Sequence, residues 1–165
     1  MNEEFIERFN KAKSISDIFE IVKDVVWSIL KKSRAGLDLG MIELGNLPNG
    51  LIGAYYVTGS NMIVMNETPL KRIKETSPKL LAPYTFSVLL HEYLHSLGIF
   101  NDDAVKEMTF DVSKKAFGED NIITQISKDM TRFFPNIIYS EGAPQTNEPI
   151  RLVKDFDKSD TRYIG

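Results

Sequence analysis

The chain has no cysteine. Disulfides, thiolate metal ligands and cysteine nucleophiles are therefore excluded, and any metal must be held by imidazole nitrogen and carboxylate oxygen. Histidine is scarce too, with two in 165 residues. An excess of basic residues is also missing: 20 Lys and Arg stand against 23 Asp and Glu, for a net charge of −3. Nothing in that balance suggests a nucleic-acid partner. No apolar run approaches the roughly 20 residues of a membrane-spanning helix. The acidic, amphipathic start, MNEEFIERFNKAKS, lacks the basic and apolar regions of a signal peptide. The expectation is a cytoplasmic protein with neither nucleic acid nor membrane as partner. Repeats and low-complexity tracts are absent as well.

What is present is ordinary for a folded domain: 42% hydrophobic and 26% charged residues, in a chain long enough to bury a real core. A short helix is expected near residues 3–12. A second follows, with Ser14 and Asp17 or Ser16 and Glu20 as capping pairs, Ile18, Ile21, Val22, Val25 and Ile29 at helical spacing, and Gly36 as the break. Between residues 39 and 66 the period changes. GMIELG, LIGAYYVTG and NMIVMN are short β-rich runs separated by the turn signals NLPNG and TGSN. They predict a three-stranded antiparallel meander within a small antiparallel or mixed sheet. Helices are expected near 68–75, over 82–97 with Gly98 as its end, from 102 to about 117, and as one segment through NIITQISKDMTRFF. The fold class expected is α+β: one domain over residues 1–139, with helices in 3–33 and 102–133, and a proline-interrupted tail over 140–165.

Both histidines lie in one apolar stretch, SVLLHEYLHSLG. His91 and His95, four residues apart on a helix, differ by about 40° in direction and about 6 Å along the axis. Their imidazoles can meet on one tetrahedral zinc ion. Glu92, offset by about 100°, can touch a zinc-bound water without ligating the metal. Zinc brings the water's pKa toward about 7, and the glutamate takes its proton and later hands it to the leaving amine. A plain core helix is the poorer account, because two unpaired histidines and a glutamate are costly to desolvate.

The HEYLH pentapeptide, preceded by IGAYYVTGSNMIVMN, resembles the HExxH helix and preceding strands of the zincin metallopeptidases. The small gluzincin-like, SprT-like and IrrE-like archaeal and bacterial proteins share that layout, and the resemblance covers roughly residues 36–118. It implies a zincin-like fold, a zinc cofactor and a peptide or protein substrate, with His91 and His95 as metal ligands and Glu92 as the catalytic base. It also implies that an edge strand, here LIGAYYV or NMIVMN with Gly53 allowing close approach, pairs with an extended substrate.

The third ligand departs from the family patterns. Where metzincin-like and SprT-like proteins carry a histidine, six residues beyond His95, this chain has Asn101; where thermolysin-like proteins carry a glutamate it has Lys115. Helical phase over 102–117 places Asp102 near the inward face of Val105, Met108, Val112 and Ala116. The order of preference is Asp102, then Asp103 and Glu107, with Asn101 last; the competing role for Asp102 is a helix N-cap.

Other chemistry finds little material. Ser60 lacks the glycine-spaced elbow of a serine hydrolase, and no spare histidine could serve it. The glycines at 45, 50, 53 and 59 match no phosphate-binding loop. LKKSR reads as a solvated helix end, and Met130 as core. Tyr55, Tyr56 and Tyr139 are candidates to stabilise an oxyanion. The tail carries Ile150, Leu152, Val153, Phe156, Tyr163 and Ile164 as anchors. It could cross the cleft and hold the enzyme latent, with Asp155, Asp157 or Asp160 near the metal, dock on a neighbouring subunit, or cover the core. The expectation is thus a zinc metallopeptidase. The alternative is a non-catalytic, IrrE-like binding or regulatory module with a structural metal or none. Oligomeric state is left open.

Overall fold

The computed structural model describes residues 2–140 and 142–157. Helix α1 (Glu3–Lys11) starts at Asn2, whose side chain accepts from the Glu4 and Phe5 amides. Helix α2 (Ile15–Leu30) starts at Ser14, which accepts from the Asp17 amide, while Asp17 accepts from the Lys13 amide. These caps satisfy donors that the first helical turn leaves without partners. The second helix ends at Lys31, in a left-handed conformation at φ 56°, before it reaches Gly36.

The strands are β1 (Asp38–Ile42), β2 (Leu51–Ile52), β3 (Ala54–Tyr56), β4 (Met62–Asn66), β5 (Ile137–Ile138) and β6 (Arg151–Val153). Four of them form a mixed sheet in the order β3-β4-β1-β6, with β1 parallel to β4 and the other pairs antiparallel. The remaining two, β2 and β5, form a short parallel pair. The expected antiparallel meander is therefore corrected. The β3–β4 hairpin is present, but β1 lies beside β4. In NLPNG, Leu47 and Gly50 close a turn of their own. After it β2 pairs with β5, and β3, beyond Gly53, lies on the far side of β4. Residue alternation explains why the strands were visible and their order was not. Leu39, Met41, Ile63 and Met65 face the helices, while Ile42 and Val64 face the other side. That pattern specifies faces and leaves neighbours open.

Helix α3 (Glu67–Thr76) is capped by Asn66 and leads through a 3-10 turn at Pro78–Leu80 into α4 (Leu81–Ser96). This fourth helix is buried on nearly every side, as a helix apolar all round must be. Next come α5 (Asp102–Phe117), α6 (Ile122–Lys128) and α7 (Met130–Phe133). The single helix expected through NIITQISKDMTRFF is thus divided. Asp129, at φ −149° and ψ 84°, leaves the helical region, and its side chain accepts from the Arg132 amide to cap the new turn. Met130 packs in the core.

The segment expected as a tail contributes to this frame. Strand β6 pairs with β1, and buried Phe156 stacks on Phe19 at 4.1 Å and 19°. Asp157 pairs with Lys23 and accepts from the Gly36 and Leu37 amides at 3.1 and 3.4 Å. Lys23 is fully buried and also meets Glu20 at 3.1 Å. Asp157 is thus drawn to α2, away from the histidines, while Asp160, Tyr163 and Ile164 lie outside the described residues. Among the described residues no helix is long and apolar enough to cross a membrane.

Candidate metal centre

The last two turns of α4 carry His91, Glu92 and His95. Each offers a ligand-type atom, and these atoms lie within 4.8 Å of one another. The two imidazole centroids are 4.9 Å apart, with the rings inclined at 73°. Gly98, at φ 99°, turns the chain after the helix, and α5 brings Asp102 back over it. A single Asp102 oxygen, Oδ1, lies 2.8 Å from His95 Nε2 and 3.3 Å from His91 Nε2. The structure thus gathers His91, His95 and Asp102 around one point, with Glu92 beside it.

Asp102 is available because its neighbour does the capping. Asn101 Oδ1 accepts from the Ala104 amide, so the rival role for Asp102 is already filled. Asp103 and Glu107 line the same cleft without reaching either histidine.

The donor set fits a small dication. Tetrahedral ligands about 2.05 Å from zinc stand roughly 3.3 Å from one another. The His91–Asp102 separation already has that value, and the His95–Asp102 separation needs to open by about half an ångström. The tautomer of His95 is also constrained. Its Nδ1–H donates to the Ile99 carbonyl at 2.7 Å, since a carbonyl can only accept. The other ring nitrogen, Nε2, then faces a carboxylate oxygen at 2.8 Å. Two lone pairs can be that close only with a proton or a metal cation between them.

Burial shapes the electrostatics. The side chains of His91 and His95 are 1% and 12% exposed, and that of Asp102 is 27% exposed. Desolvation first, then the neighbouring His95, lowers the His91 pKa to about 3, which keeps the ring neutral as a ligand must be. Glu92 is 3% exposed. Desolvation, then the Asp102 charge, raises its pKa to about 8. Among the described residues its Oε2 is buried with no hydrogen-bond partner, as is His91 Nδ1. An orphaned carboxylate oxygen is costly unless something at the site uses it.

The group opens on a cleft of about 1220 Å³. Tyr139, just past β5, stacks on His91 at 3.9 Å and 15°. Its hydroxyl is held protonated, above the usual tyrosine range, by burial and then by the charges of Glu92 and Asp102. Of the other tyrosines considered, Tyr55 packs on the far face of the sheet, and Tyr56 Oη donates to the Ser60 carbonyl.

The other cleft wall includes β3. The Asn66 amide donates to the Gly53 carbonyl and the Val57 amide to the Met62 carbonyl, in register with Tyr55 opposite Val64. By antiparallel alternation, Tyr55 and Val57 then direct their backbone groups at β4, whereas Ala54, Tyr56 and Thr58 direct theirs outward. Among the described residues no strand of the four-stranded sheet covers that side. Tyr56 and Thr58 both line the cleft. At Gly53 the strand changes partners: its amide donates toward Ile138 of β5 and its carbonyl serves β4. A Cβ there would come within 2.8 Å of the Tyr84 hydroxyl.

Arg34, within the LKKSR patch that reads as a solvated helix end, is instead engaged on three acceptors. Its guanidinium donates to Tyr56 Oη at 2.9 Å and to the Ser96 and Ser60 carbonyls, both at 2.7 Å. It ties the end of the histidine helix to the β3–β4 hairpin. Two of these acceptors are backbone carbonyls distant in sequence, so no residue pattern could have marked it. Compared with known proteins, the chain matches no family model, no curated protein and no solved structure.

Proposed function

We propose that this chain is a zinc-dependent peptidase with a zincin-like fold, acting on extended peptide segments. The observation that carries the reading is the convergence of His91 Nε2 and His95 Nε2 on one Asp102 oxygen, with the orphaned, buried Glu92 oxygen alongside. His91, His95 and Asp102 would hold the metal and leave one position open, as hydrolytic zinc sites require. When bound, zinc supplies Lewis acidity and lowers the pKa of a water toward neutrality. Glu92 takes the proton from the attacking water and delivers it to the amine that leaves as the C–N bond breaks. A nearby dication favours the ionised carboxylate, offsetting the burial that otherwise keeps Glu92 protonated.

The remaining residues position the substrate. The outward backbone groups of Ala54, Tyr56 and Thr58 pair with an extended peptide as an added strand. Arg34 holds that edge at a set distance from the histidines. The Tyr139 hydroxyl, kept protonated, serves as donor to the developing oxyanion. We read the C-terminal segment as part of the fold, with Phe156 and Asp157 as its anchors and Tyr139 delivered to the cleft at its start.

The test combines metal analysis with peptide hydrolysis. About one equivalent of zinc, hydrolysis of a quenched-fluorescent peptide, and loss of at least about 100-fold in kcat for Glu92→Gln with zinc retained are expected. Bound zinc with no hydrolysis of any peptide would instead favour a binding or regulatory module. No zinc at saturating supply would end the metal reading altogether.

A further inference from the structure

The cleft extends from the metal group along α5, as far as Phe110. On a helix the residues Asp102, Lys106 and Phe110 form one stripe, each about 6 Å further along the axis and turned by about 40°. An extended peptide repeats its side-chain direction every second residue, about 6.6 Å. The two periods nearly match. A substrate lying along α5 with its scissile bond at the metal would present the side chain two residues away to Lys106, and the one four residues away to Phe110.

Lys106 is suited to read that position. It lines the cleft, its Nζ lies 5.3 Å from the centroid of the Tyr139 ring, and Tyr139 in turn covers His91. Among the described residues it has no carboxylate within ion-pairing distance, unlike Lys11, Lys23, Lys71 and Lys114. The cleft also holds carboxylates. Asp103 and Glu107 lie on the neighbouring stripe, about 60° and 100° further round α5 from Lys106, and neither has a contact with the metal group. Asp129 is occupied by the Arg132 amide and the Thr131 hydroxyl. Lys128, the other lysine lining the cleft, lies over the Phe110 ring at 5.8 Å, whereas the cation over the ring that covers His91 is Lys106.

We infer that Lys106 is a specificity residue that binds a substrate carboxylate, an acidic side chain two residues from the scissile bond on the side running along α5. The inference rests on the peptidase reading and names the substrate class for that same cleft. Lys106 forms a charge-assisted hydrogen bond with the carboxylate, while the edge of β3 holds the peptide backbone.

The experiment uses quenched-fluorescent decapeptides of alanine and glutamine in which one Glu is moved along the chain. On wild-type protein with zinc, one position two residues from the cut, on one side only, should raise kcat/KM by about fivefold over Gln, and less at high salt. Lys106→Met should turn over Glu and Gln peptides alike, Lys106→Arg should restore the preference, and Lys106→Glu should shift it to a Lys at that position. A flat scan, or a preference that survives Lys106→Met, overturns the inference while leaving the peptidase reading intact. A second arm covers the opposite failure. If no peptide is cut, fluorescein-labelled copies are titrated onto zinc-loaded Glu92→Gln protein by anisotropy. Tighter binding of the Glu peptide that vanishes in Lys106→Met/Glu92→Gln supports the anchor without the chemistry. Equal binding of the Glu and Gln peptides, or no binding, refutes it.

Discussion

Replacing Asp157 by alanine should expose how far the C-terminal segment holds the fold together. The carboxylate does two jobs: it pairs with fully buried Lys23 and accepts from the Gly36 and Leu37 amides just before β1. Breaking a buried ion pair from one side costs about 3–5 kcal/mol, because the surviving charge stays desolvated. Glu20, 3.1 Å from Lys23 and 14% exposed, still compensates part of that charge. The lower end, about 3 kcal/mol, is therefore expected, which for a chain of this size lowers Tm by about 6–12 °C. Lys23→Met in the same chain removes the buried ammonium, then only partly compensated, and should recover part of the loss. About 1–2 kcal/mol should remain, because the two amides still lack their acceptor. Urea unfolding of the wild type, both single variants and the double variant, followed by circular dichroism, gives the full cycle. If Asp157→Ala lies within about 0.5 kcal/mol of wild type, or the double variant is no more stable than Asp157→Ala, the segment is not anchored as described.

Two further perturbations bear on the site and its support. Asp102→Asn should weaken zinc binding by about 100-fold or more in a chelator competition, since loss even of a group that merely orients a ligand costs about 10–100-fold. Unchanged affinity there, with a loss in Glu107→Gln or Asp103→Asn, would move the third ligand along α5. Gly53→Ala should cost about 1–3 kcal/mol by chemical denaturation, because its Cβ would stand 2.8 Å from the Tyr84 hydroxyl. That hydroxyl is buried without a partner among the described residues, so Tyr84→Phe alone should be neutral or stabilising and should relieve Gly53→Ala; failure to do so would place the clash elsewhere.

Much of this molecule is local, and the local part was readable. The α5 start lies in NDD because Asn101 can fold its side chain onto the Ala104 amide, a contact between near neighbours. His91 and His95 share a face because one helical turn plus about 40° separates them. Asp129 is harder: the apolar spacing of Ile126, Met130 and Phe133 continues across it, and only the backbone geometry shows the helix re-starting there. Spacing along a helix cannot reveal a break that leaves the same face buried.

The amino-acid sequence by itself determined the α+β composition, the faces of each strand, and the pairing of two imidazoles with a carboxylate on one buried helix, since each follows from contacts a few residues apart. Tertiary structure alone decided that β1 lies parallel to β4, that Asp102 meets both Nε2 atoms, that Tyr139 covers His91 and that Arg34 joins helix to hairpin. Those choices depend on how separate elements pack into one core. Alternation and phase give each element a buried side but leave open which other side it meets.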